Sequence, residues 1–465
     1  MMPLVPEDVI ARQSSESQAI IRLLLAEIER LRAEIAALKT SSRNSSKPPS
    51  TEHPHAKPSA AKPPSGRRRG GQPGHERHER TLIPAEQCAA IREHRPRQCR
   101  GCGHKLSGVD AAPLRHQVWE LPEIQPLVTE HRLHRLTCSE CGQSTCGRLP
   151  VGVSRGQAGP RLIAFAALLM GSFRQSKRKT AVFLTHLLNT PCSPGWVVKL
   201  QKQATEALRP VYDELVVQLP AEGRLNIDET PNKQGPLKTW LWTFVAGGFT
   251  VFALRLTRKA EELYAHVGQE FAGVVGCDRA KMYCRLNRVQ WCWAHLLRDF
   301  QALVDSGDPQ AKRLGHELLH EAEAMFVLWH RVRDGTLTRR GFKSRMSSIR
   351  RQVEALLLRG AFSGNRRFLG MCDELWNGRA NLWTFVEVEG IEPTNNAAER
   401  ALRPAVIWRK LSFGTQSTAG SQFVETLLTV IETCRQQRTN PLSYVTQAIA
   451  AHVAGKRPSL LRNTP

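Results

Sequence analysis

The sequence has no apolar run long enough to cross a lipid bilayer. Its longest run, LIAFAALLMGSF at 162–173, falls short of the roughly 20 residues that a transmembrane helix requires. The opening residues, MMPLVPEDVIARQSSES, also lack the basic and apolar segments of a secretory signal peptide. These two absences predict a soluble intracellular protein.

Acidic residues are scarce relative to basic ones. The 465 residues include 42 Asp and Glu against 66 Lys and Arg, which gives a net charge of +24 and a pI near 10.1. This excess favours a polyanionic partner, because Lys and Arg neutralise phosphates and release their counterions. Nucleic acid is the first candidate, although an anionic membrane surface could use the same charge.

The 12 cysteines are not expected to form disulfides in the reducing interior of a cell. Two CxxC pairs, each followed by glycine, comprise Cys99, Cys102, Cys138 and Cys141. Four thiolates in this pattern suit a closed, structural Zn²⁺ site. The long segment between the pairs favours a ribbon with β-hairpins, for instance in HQVWELPEIQPLVTEHRLHRLTC. Cys88, His104 and Cys146 are alternative ligands, and redox exchange is a lesser alternative.

Near the N-terminus, apolar residues recur in alternating steps of three and four. They are Ile21, Leu24, Ile28, Leu31, Ile35 and Leu38. Ile at every a position and Leu at every d position favours a parallel two-stranded coiled coil. The pattern predicts a homodimer or higher oligomer through residues 20–39, and the alternative is an amphipathic helix packed on its own domain.

Residues 41–80 contain hardly any apolar side chains and cannot bury enough surface to fold alone. Within them, Arg67, Arg68 and Arg69 precede two glycines. Such a flexible basic arm suits a DNA backbone or minor groove. A solvated linker is an equal alternative.

Residues 159–210 have a helical pattern with basic side chains. Ser193 is a candidate N-cap and Pro194 a first helical residue. The basic residues are Lys177, Arg178, Lys179, Lys199 and Lys202. A short helix, a turn and a basic capped helix resemble a helix-turn-helix that binds DNA, and an ordinary helical subdomain is the alternative.

From Leu225 onward, short apolar stretches predict strands. RLNIDETPN predicts a strand ending at Asp228, and FAGVVGCDRAKMY predicts one ending at Asp278. The order, three strands, helix, strand, helix, strand, is that of a ribonuclease-H-like sheet, in which the first and fourth strands are neighbours. Two converging carboxylates repel unless a cation lies between them, and Mg²⁺ prefers such oxygen ligands. As an alternative, Asp228 and Asp278 could cap the elements that follow them. Glu229 or Asp299 could then be the functional acid.

A third acid, Glu399, follows a predicted helical insertion, within TNNAAERALRP. It would complete a site for two-metal phosphoryl transfer. The local alternative is a capping box, in which Glu399 folds back to Asn396 and pairs with Arg403.

These residues together resemble the transposases of the insertion sequence 66 family, bacterial DDE-class enzymes with a ribonuclease-H-like core. The matching motifs are the N-terminal zipper helix, SRNSSKPPS, GGQPGH, the double CxxC, IDET, CWAHLLRDF and NNAAERALRP. The resemblance implies a catalytic triad of Asp228, Asp278 and Glu399 holding two Mg²⁺ (or Mn²⁺) ions. Many members carry Asp where this chain has Thr394, so that position is not an essential acid here.

Further residues take roles from the same resemblance. Arg403 and Lys410 are similar to basic residues that bind the phosphates of a transposon end. Cys292 and His295 of CWAH match a family signature whose role stays open between a second metal and a structural hydrogen bond.

The resemblance implies cleavage at transposon ends and transfer of the 3′-hydroxyl into target DNA. A catalytically inactive DNA-binding regulator and a hydrolysis-only nuclease are the alternatives. The expected partners are the terminal inverted repeats, target DNA and accessory proteins of the same element, with no membrane partner, in a cytoplasmic, nucleoid-associated location.

We therefore expect a multidomain α/β protein. Its predicted parts are a coiled coil (1–40), a basic linker (41–80), a zinc-binding domain (81–152), a helix-turn-helix-like region (155–220), the first part of the core (221–300), a helical insertion (301–385), the second part of the core (386–455) and a tail (456–465).

Overall fold

The computed structural model describes residues 7–39, 80–306 and 308–461. The chain divides into two compact units, Pro54–Gln125 and the remainder, Met1–His53 with Pro126–Pro465. The predicted basic arm, Arg67 to Arg69, lies outside the described residues, as do the side chains of 29–39. No helix within the described ranges is long and apolar enough to span a membrane.

The N-terminal segment forms helices α1 (Glu7–Ala11) and α2 (Ser15–Lys39). Helix α2 covers the whole of the predicted heptad pattern. Leu23 and Leu24 are both more than half exposed in the single chain. Association through this helix stays a prediction, and these side chains are accessible for it.

In the unit Pro54–Gln125, the described residues form few regular elements. They include a 3₁₀ turn at Ala85–Gln87 and an isolated bridge between Gln98 and Lys105. Farther along the chain, strands β1 (Arg135–Thr137) and β2 (Ser144–Cys146) pair antiparallel. The segment that the sequence suggested for a hairpin, 116–138, has a strand only near its end, where β1 pairs with β2, and side chains such as Val118 are largely exposed.

Three helices follow: α3 (Pro160–Gly171), α4 (Lys177–Leu187) and α5 (Pro194–Gln218). The Ser193 hydroxyl accepts a hydrogen bond from the Trp196 amide, so Ser193 caps α5 as its sequence context predicts. Helix α3 is largely buried, because α5 and two C-terminal helices, α13 (Thr418–Gln436) and α14 (Pro441–Val453), pack around it. The basic residues predicted to bind DNA in this region lie on α4 and α5.

A five-stranded mixed sheet forms the centre of the larger unit. Its strands are β3 (Arg224–Gln234), β4 (Leu237–Val245), β5 (Thr250–Arg255), β6 (Val274–Cys277) and β7 (Val289–Trp291), in the order β5-β4-β3-β6-β7. The pairs β3–β4 and β4–β5 are antiparallel, whereas β3–β6 and β6–β7 are parallel. The mixed α/β class is as expected, and helix α6 (Ala260–Val267) joins β5 to β6.

Two details of the sheet correct the sequence prediction. Strand β3 continues past Asp228 to Gln234, because its antiparallel ladder with β4 extends to that end. The parallel ladder with β6, by contrast, stops at Asn226. Between β6 and β7 the chain forms a 3₁₀ turn, Lys281–Tyr283, instead of the expected helix.

A helical segment separates β7 from the last part of the sheet domain. It comprises α7 (Trp293–Val304), α8 (Pro309–Arg333), α9 (Arg339–Ala361), α10 (Leu369–Asn377) and α11 (Thr384–Glu387). The apolar face of α8 is buried, with Leu318 and Met325 both fully covered. Helix α12 (Asn396–Ser412) then returns to β3 and β4.

Helix α13 covers the outer edge of β5 with a polar stripe, Glu425, Thr429 and Thr433. The Phe252 amide donates to Thr429 Oγ1 at 2.9 Å, and the Thr250 amide donates to Thr433 Oγ1 at 3.1 Å. The Leu254 amide donates to Glu425 Oε2 at 3.0 Å. The spacing of the three side chains along α13 matches the spacing of the three amides along β5. Four helical residues rise about 6 Å, and two strand residues rise about 6.7 Å. Side chains thus supply the ladder that an edge strand lacks.

Candidate functional site

Asp228 lies on β3 just beyond the point where the parallel pairing with β6 ends. Its Oδ1 accepts a hydrogen bond from the Glu229 amide at 2.8 Å. Burial raises the pKa of Asp228 well above its usual value, and the charges of Glu229, Asp278 and Glu399 raise it further. The carboxylate is therefore in an environment that a cation would stabilise.

Asp278 is the first residue after β6. Its Oδ1 accepts a hydrogen bond from the Ala280 amide at 2.8 Å, and its Oδ2 lies 3.6 Å from Arg258 Nη2. The parallel pairing of β3 with β6 places Asp278 near Asp228, as the sequence led us to expect.

Glu399 lies in the first turn of α12. Its Oε1 is buried and has no hydrogen-bond partner among the described residues, and it lies 3.7 Å from His295 Nδ1. Burial raises the pKa of Glu399, although Arg298, Arg403 and Arg400 act in the opposite direction. The capping alternative is wrong, because the N-cap residue is Asn395 and this helix start has no side-chain capping bond.

The alternative acids, Glu229 and Asp299, are each paired with an arginine. Arg258 Nε donates to Glu229 Oε1 at 2.5 Å, and the Tyr283 hydroxyl donates to Glu229 Oε2 at 2.5 Å. Burial raises the pKa of Glu229 to about 7. Asp299 pairs with Arg279 at 2.6 Å. Both acids thus have structural partners, in contrast to Glu399.

Cys292 and His295 lie at the start of α7, beside Glu399. The Asn395 amide donates to Cys292 Sγ at 3.1 Å, and burial raises the pKa of that thiol to about 11. Burial also lowers the pKa of His295 to about 4, so the ring is neutral at pH 7. The ligand atoms of Cys292, His295 and Glu399 all lie within 4.8 Å of one another. Cys292 thus accepts a hydrogen bond, and its sulfur also lies within reach of a metal that His295 and Glu399 could share.

Asn395 is a site residue whose role the sequence did not indicate. Its side chain donates to the Ile227 carbonyl at 2.7 Å and accepts from Asn226 Nδ2 at 2.9 Å. It thereby joins the N-terminus of α12 to β3 at the two residues that precede Asp228. The pair of adjacent amides in TNNAAER was visible in the sequence, but its partners are distant along the chain.

The residues present fit a hard divalent cation. Asp228, Asp278 and Glu399 supply carboxylate oxygens, the ligand type that Mg²⁺ and Mn²⁺ prefer. The buried Glu399 Oε1 lacks a donor, and Asp228 is destabilised by neighbouring negative charge. A cation would relieve both.

The two CxxC pairs form knuckles of matching geometry, each described by itself. Gly103 and Gly142 both have φ of +73°, a conformation that favours glycine, and their amides donate to the carbonyls of Cys99 and Cys138. Amide hydrogen bonds within each knuckle, the first from Cys102 and Cys141 respectively, lower the pKa of Cys99 and Cys138. Both knuckles therefore favour the thiolate form that binds Zn²⁺.

The predicted DNA-binding residues within the described ranges are exposed. They are Lys177, Arg178 and Lys179 on α4, Lys199 and Lys202 on α5, and Arg403 and Lys410 on α12. Their charges are accessible to a polyanion.

Comparison with known proteins identifies the family. The model described as "Transposase IS66 family" matches residues 155–423, which is more than half of the chain and includes all three acids. The model described as "zinc-finger binding domain of transposase IS66" matches residues 96–142, which include all four cysteines of the CxxC pairs. A family of unknown function matches residues 5–81.

Two similar proteins come from Sinorhizobium fredii (strain NBRC 101917 / NGR234), and both are described as uncharacterized. Protein y4qI is 25% identical over 282 residues, 53% of this chain and 51% of the relative. Protein y4hP is 23% identical over 410 residues, 76% of this chain and 70% of the relative. The chain thus spans about half the length of the first relative. From its matched sheet domain and zinc-finger segment, the chain belongs to the IS66 family of transposases.

Proposed function

We propose that this chain is a DDE-type DNA transposase that cleaves the ends of a mobile element and transfers the freed 3′-hydroxyl to target DNA. The observation that carries the proposal is that Asp228 on β3 is buried among like charges, with Asp278 directly after β6 and Glu399 on α12 both raising its pKa. The strand order β5-β4-β3-β6-β7 supports a ribonuclease-H-like core around these acids. Family membership supports the choice of DNA as substrate.

Asp228, Asp278 and Glu399 would hold Mg²⁺ or Mn²⁺. When bound, two such ions supply activation of the attacking water or 3′-hydroxyl and stabilisation of the leaving oxygen. The surrounding side chains orient these ligands. Arg258 lies close to Asp278 and donates to Glu229, which also accepts a hydrogen bond from the Tyr283 hydroxyl. Asn395 joins α12 to β3.

His295 and Arg298 act on the third acid. The neutral His295 ring lies beside Glu399 Oε1 without adding charge. Arg298 lowers the pKa of Glu399 and thus favours its ionised form, which is the form that binds a cation.

The remaining parts of the chain serve DNA binding and assembly in this proposal. The zinc-finger segment, residues 96–142, binds a structural Zn²⁺, and the exposed basic residues of α4, α5 and α12 bind DNA phosphates. Residues 20–39 link two or more copies.

The test is a strand-transfer assay with purified full-length protein, Mg²⁺, a labelled element end and a target plasmid. We expect joined products from the wild type and a loss of at least about 100-fold in D228N, D278N and E399Q, since each removes a ligand charge. E261Q, which alters an exposed acid of α6, is the matched control and should retain activity.

Other outcomes discriminate between functions. Cut but unjoined ends would favour a nuclease, and binding without cleavage would favour a regulator. Full strand transfer by any one of the three acid variants would contradict the role assigned to that residue.

A further inference from the structure

A second feature lies beside the acidic site: a cavity of about 340 Å³ between the sheet and α12. We call it the arginine cleft. Its lining includes Arg224, Arg333, Arg400, Asn226, Gly276 and Asn396. The three arginines come from β3, the end of α8 and α12, which are distant in the sequence.

The arginine cleft and the acidic site share three elements. Asn226 and Asp228 project from the same face of β3, since side chains alternate along a strand. Gly276 lies on β6 two residues before Asp278, which directly follows that strand, and Arg400 follows Glu399 on α12. Two strand residues span about 6.7 Å, so the cleft begins within one nucleotide of the acids.

The charge of the arginine cleft is strongly positive. Arg333 and Arg400 are exposed, and neither forms a salt bridge within the part of the chain that the structure describes. Arg224 Nη1 donates to the Gly390 carbonyl at 2.6 Å, which holds that guanidinium at the rim. Glu392 is the single acid in the lining. Guanidinium groups bind phosphate oxygens with paired N–H donors, so the cleft suits an anion of that kind.

The remaining lining suits the sugar that accompanies a backbone phosphate. Leu225, Val245 and Ile391 contribute apolar surface to the cavity. At Gly276 the sheet leaves little room, because a Cβ there would lie 2.6 Å from Asn226 Nδ2. The cleft thus combines a cationic rim with a close-packed floor.

We propose that the arginine cleft binds a backbone phosphate of the DNA strand that enters the acidic site, one nucleotide from the phosphate at the acids. The inference rests on the proposed function, and it assigns Arg333 and Arg400 as phosphate ligands. These contacts fix the register of the strand, so that the acids face one phosphodiester and not its neighbour.

The test measures binding of fluorescent (dT)₁₂ to full-length protein in Ca²⁺, as a function of salt, by anisotropy. The variant R333A/R400A should bind about tenfold more weakly at low salt, in line with the loss of charge-assisted hydrogen bonds. Its salt slope should fall by about 0.7 for each lost phosphate contact. The control R313A/R345A removes the same charge from exposed positions of α8 and α9 and should stay within about twofold of the wild type.

Equal losses of (dT)₁₂ affinity in both double variants, or no loss in R333A/R400A, would overturn the inference. Displacement of (dT)₁₂ by millimolar inorganic phosphate would also overturn it, because it would indicate a site for the free anion. Matching thermal midpoints exclude misfolding as the cause. Because binding in Ca²⁺ needs no turnover, a chain that binds (dT)₁₂ as expected but joins no DNA would refute the proposed function and leave the cleft intact.

Discussion

At the scale of single residues, amide side chains and backbone amides organise the acidic site around its carboxylates. Asn395 illustrates this, because its backbone donates to Cys292 while its side chain joins the Ile227 carbonyl and Asn226. One residue thereby connects β3, the β7–α7 junction and the helix that carries Glu399. In the CWAH motif, the Cys292 thiol accepts a hydrogen bond from the Asn395 amide.

We predict that N395A lowers the cleavage rate at saturating DNA by at least about tenfold while DNA affinity stays unchanged. Removal of both side-chain bonds frees the start of α12 and displaces Glu399, at a cost of about 1–3 kcal/mol in folding stability. N377A, an exposed asparagine of α10, is the control. Weaker DNA binding with an unchanged cleavage rate would contradict the positioning role.

The residue scale also shows what the sequence could and could not indicate. Asp278 follows an apolar stretch, so its position at a strand end was predictable. The side chains around the acids were not, because Asn395 reaches Asn226 and Ile227, and Arg258 reaches Asp278, only through tertiary packing. No local pattern distinguishes Glu229, which is saturated by Arg258 and Tyr283, from its neighbour Asp228.

At the scale of elements, strand identity was easier to predict than strand length. Val274–Cys277 is a continuous apolar run and was recognised as a strand. The second half of β3, ETPNKQ, is polar and contains Pro231, yet its ladder with β4 keeps it extended. Pairing with a partner strand, which a single sequence does not display, overrode the local composition.

The polar stripe of α13 leads to a stability prediction. T429V removes the acceptor of the buried Phe252 amide and should lower the free energy of unfolding by about 1–3 kcal/mol. T426V is the matched control: Thr426 is buried on the same helix, but its hydroxyl has no hydrogen-bond partner within the described residues. Urea unfolding of both variants checks this, and equal destabilisation would show that packing, not the hydrogen bond, accounts for the effect.

At the scale of the whole molecule, both edges of the sheet are covered by the chain itself. Thr384 Oγ1 donates to the Val289 carbonyl at 2.6 Å on the β7 side, where the Phe385 amide also donates to Gln290 Oε1. On the other side α13 covers β5. Association of copies by strand addition is therefore blocked at these edges, and α2 remains the best candidate for self-association.

The heptad pattern predicts which apolar residue of α2 matters. L24D, at a d position, should convert the oligomer to a monomer of 52.1 kDa, because a buried charge disrupts the helix seam. L23D, which changes its more exposed neighbour at a c position, should leave the mass unchanged. Sedimentation equilibrium measures both, and dissociation by L23D or persistence of the oligomer in L24D would refute this interface.

During translation, β5 is made well before α13, the helix that covers its outer edge. The amide of Phe252 and the hydroxyl of Thr429 are 177 positions apart, so the ribosome completes the strand well before it makes the helix. At about 5–20 residues per second, the outer edge of β5 waits roughly 10–35 s for its partner. During that interval the nascent chain presents an open strand edge, and each newly made copy needs protection from its neighbours on the same messenger RNA until α13 has emerged.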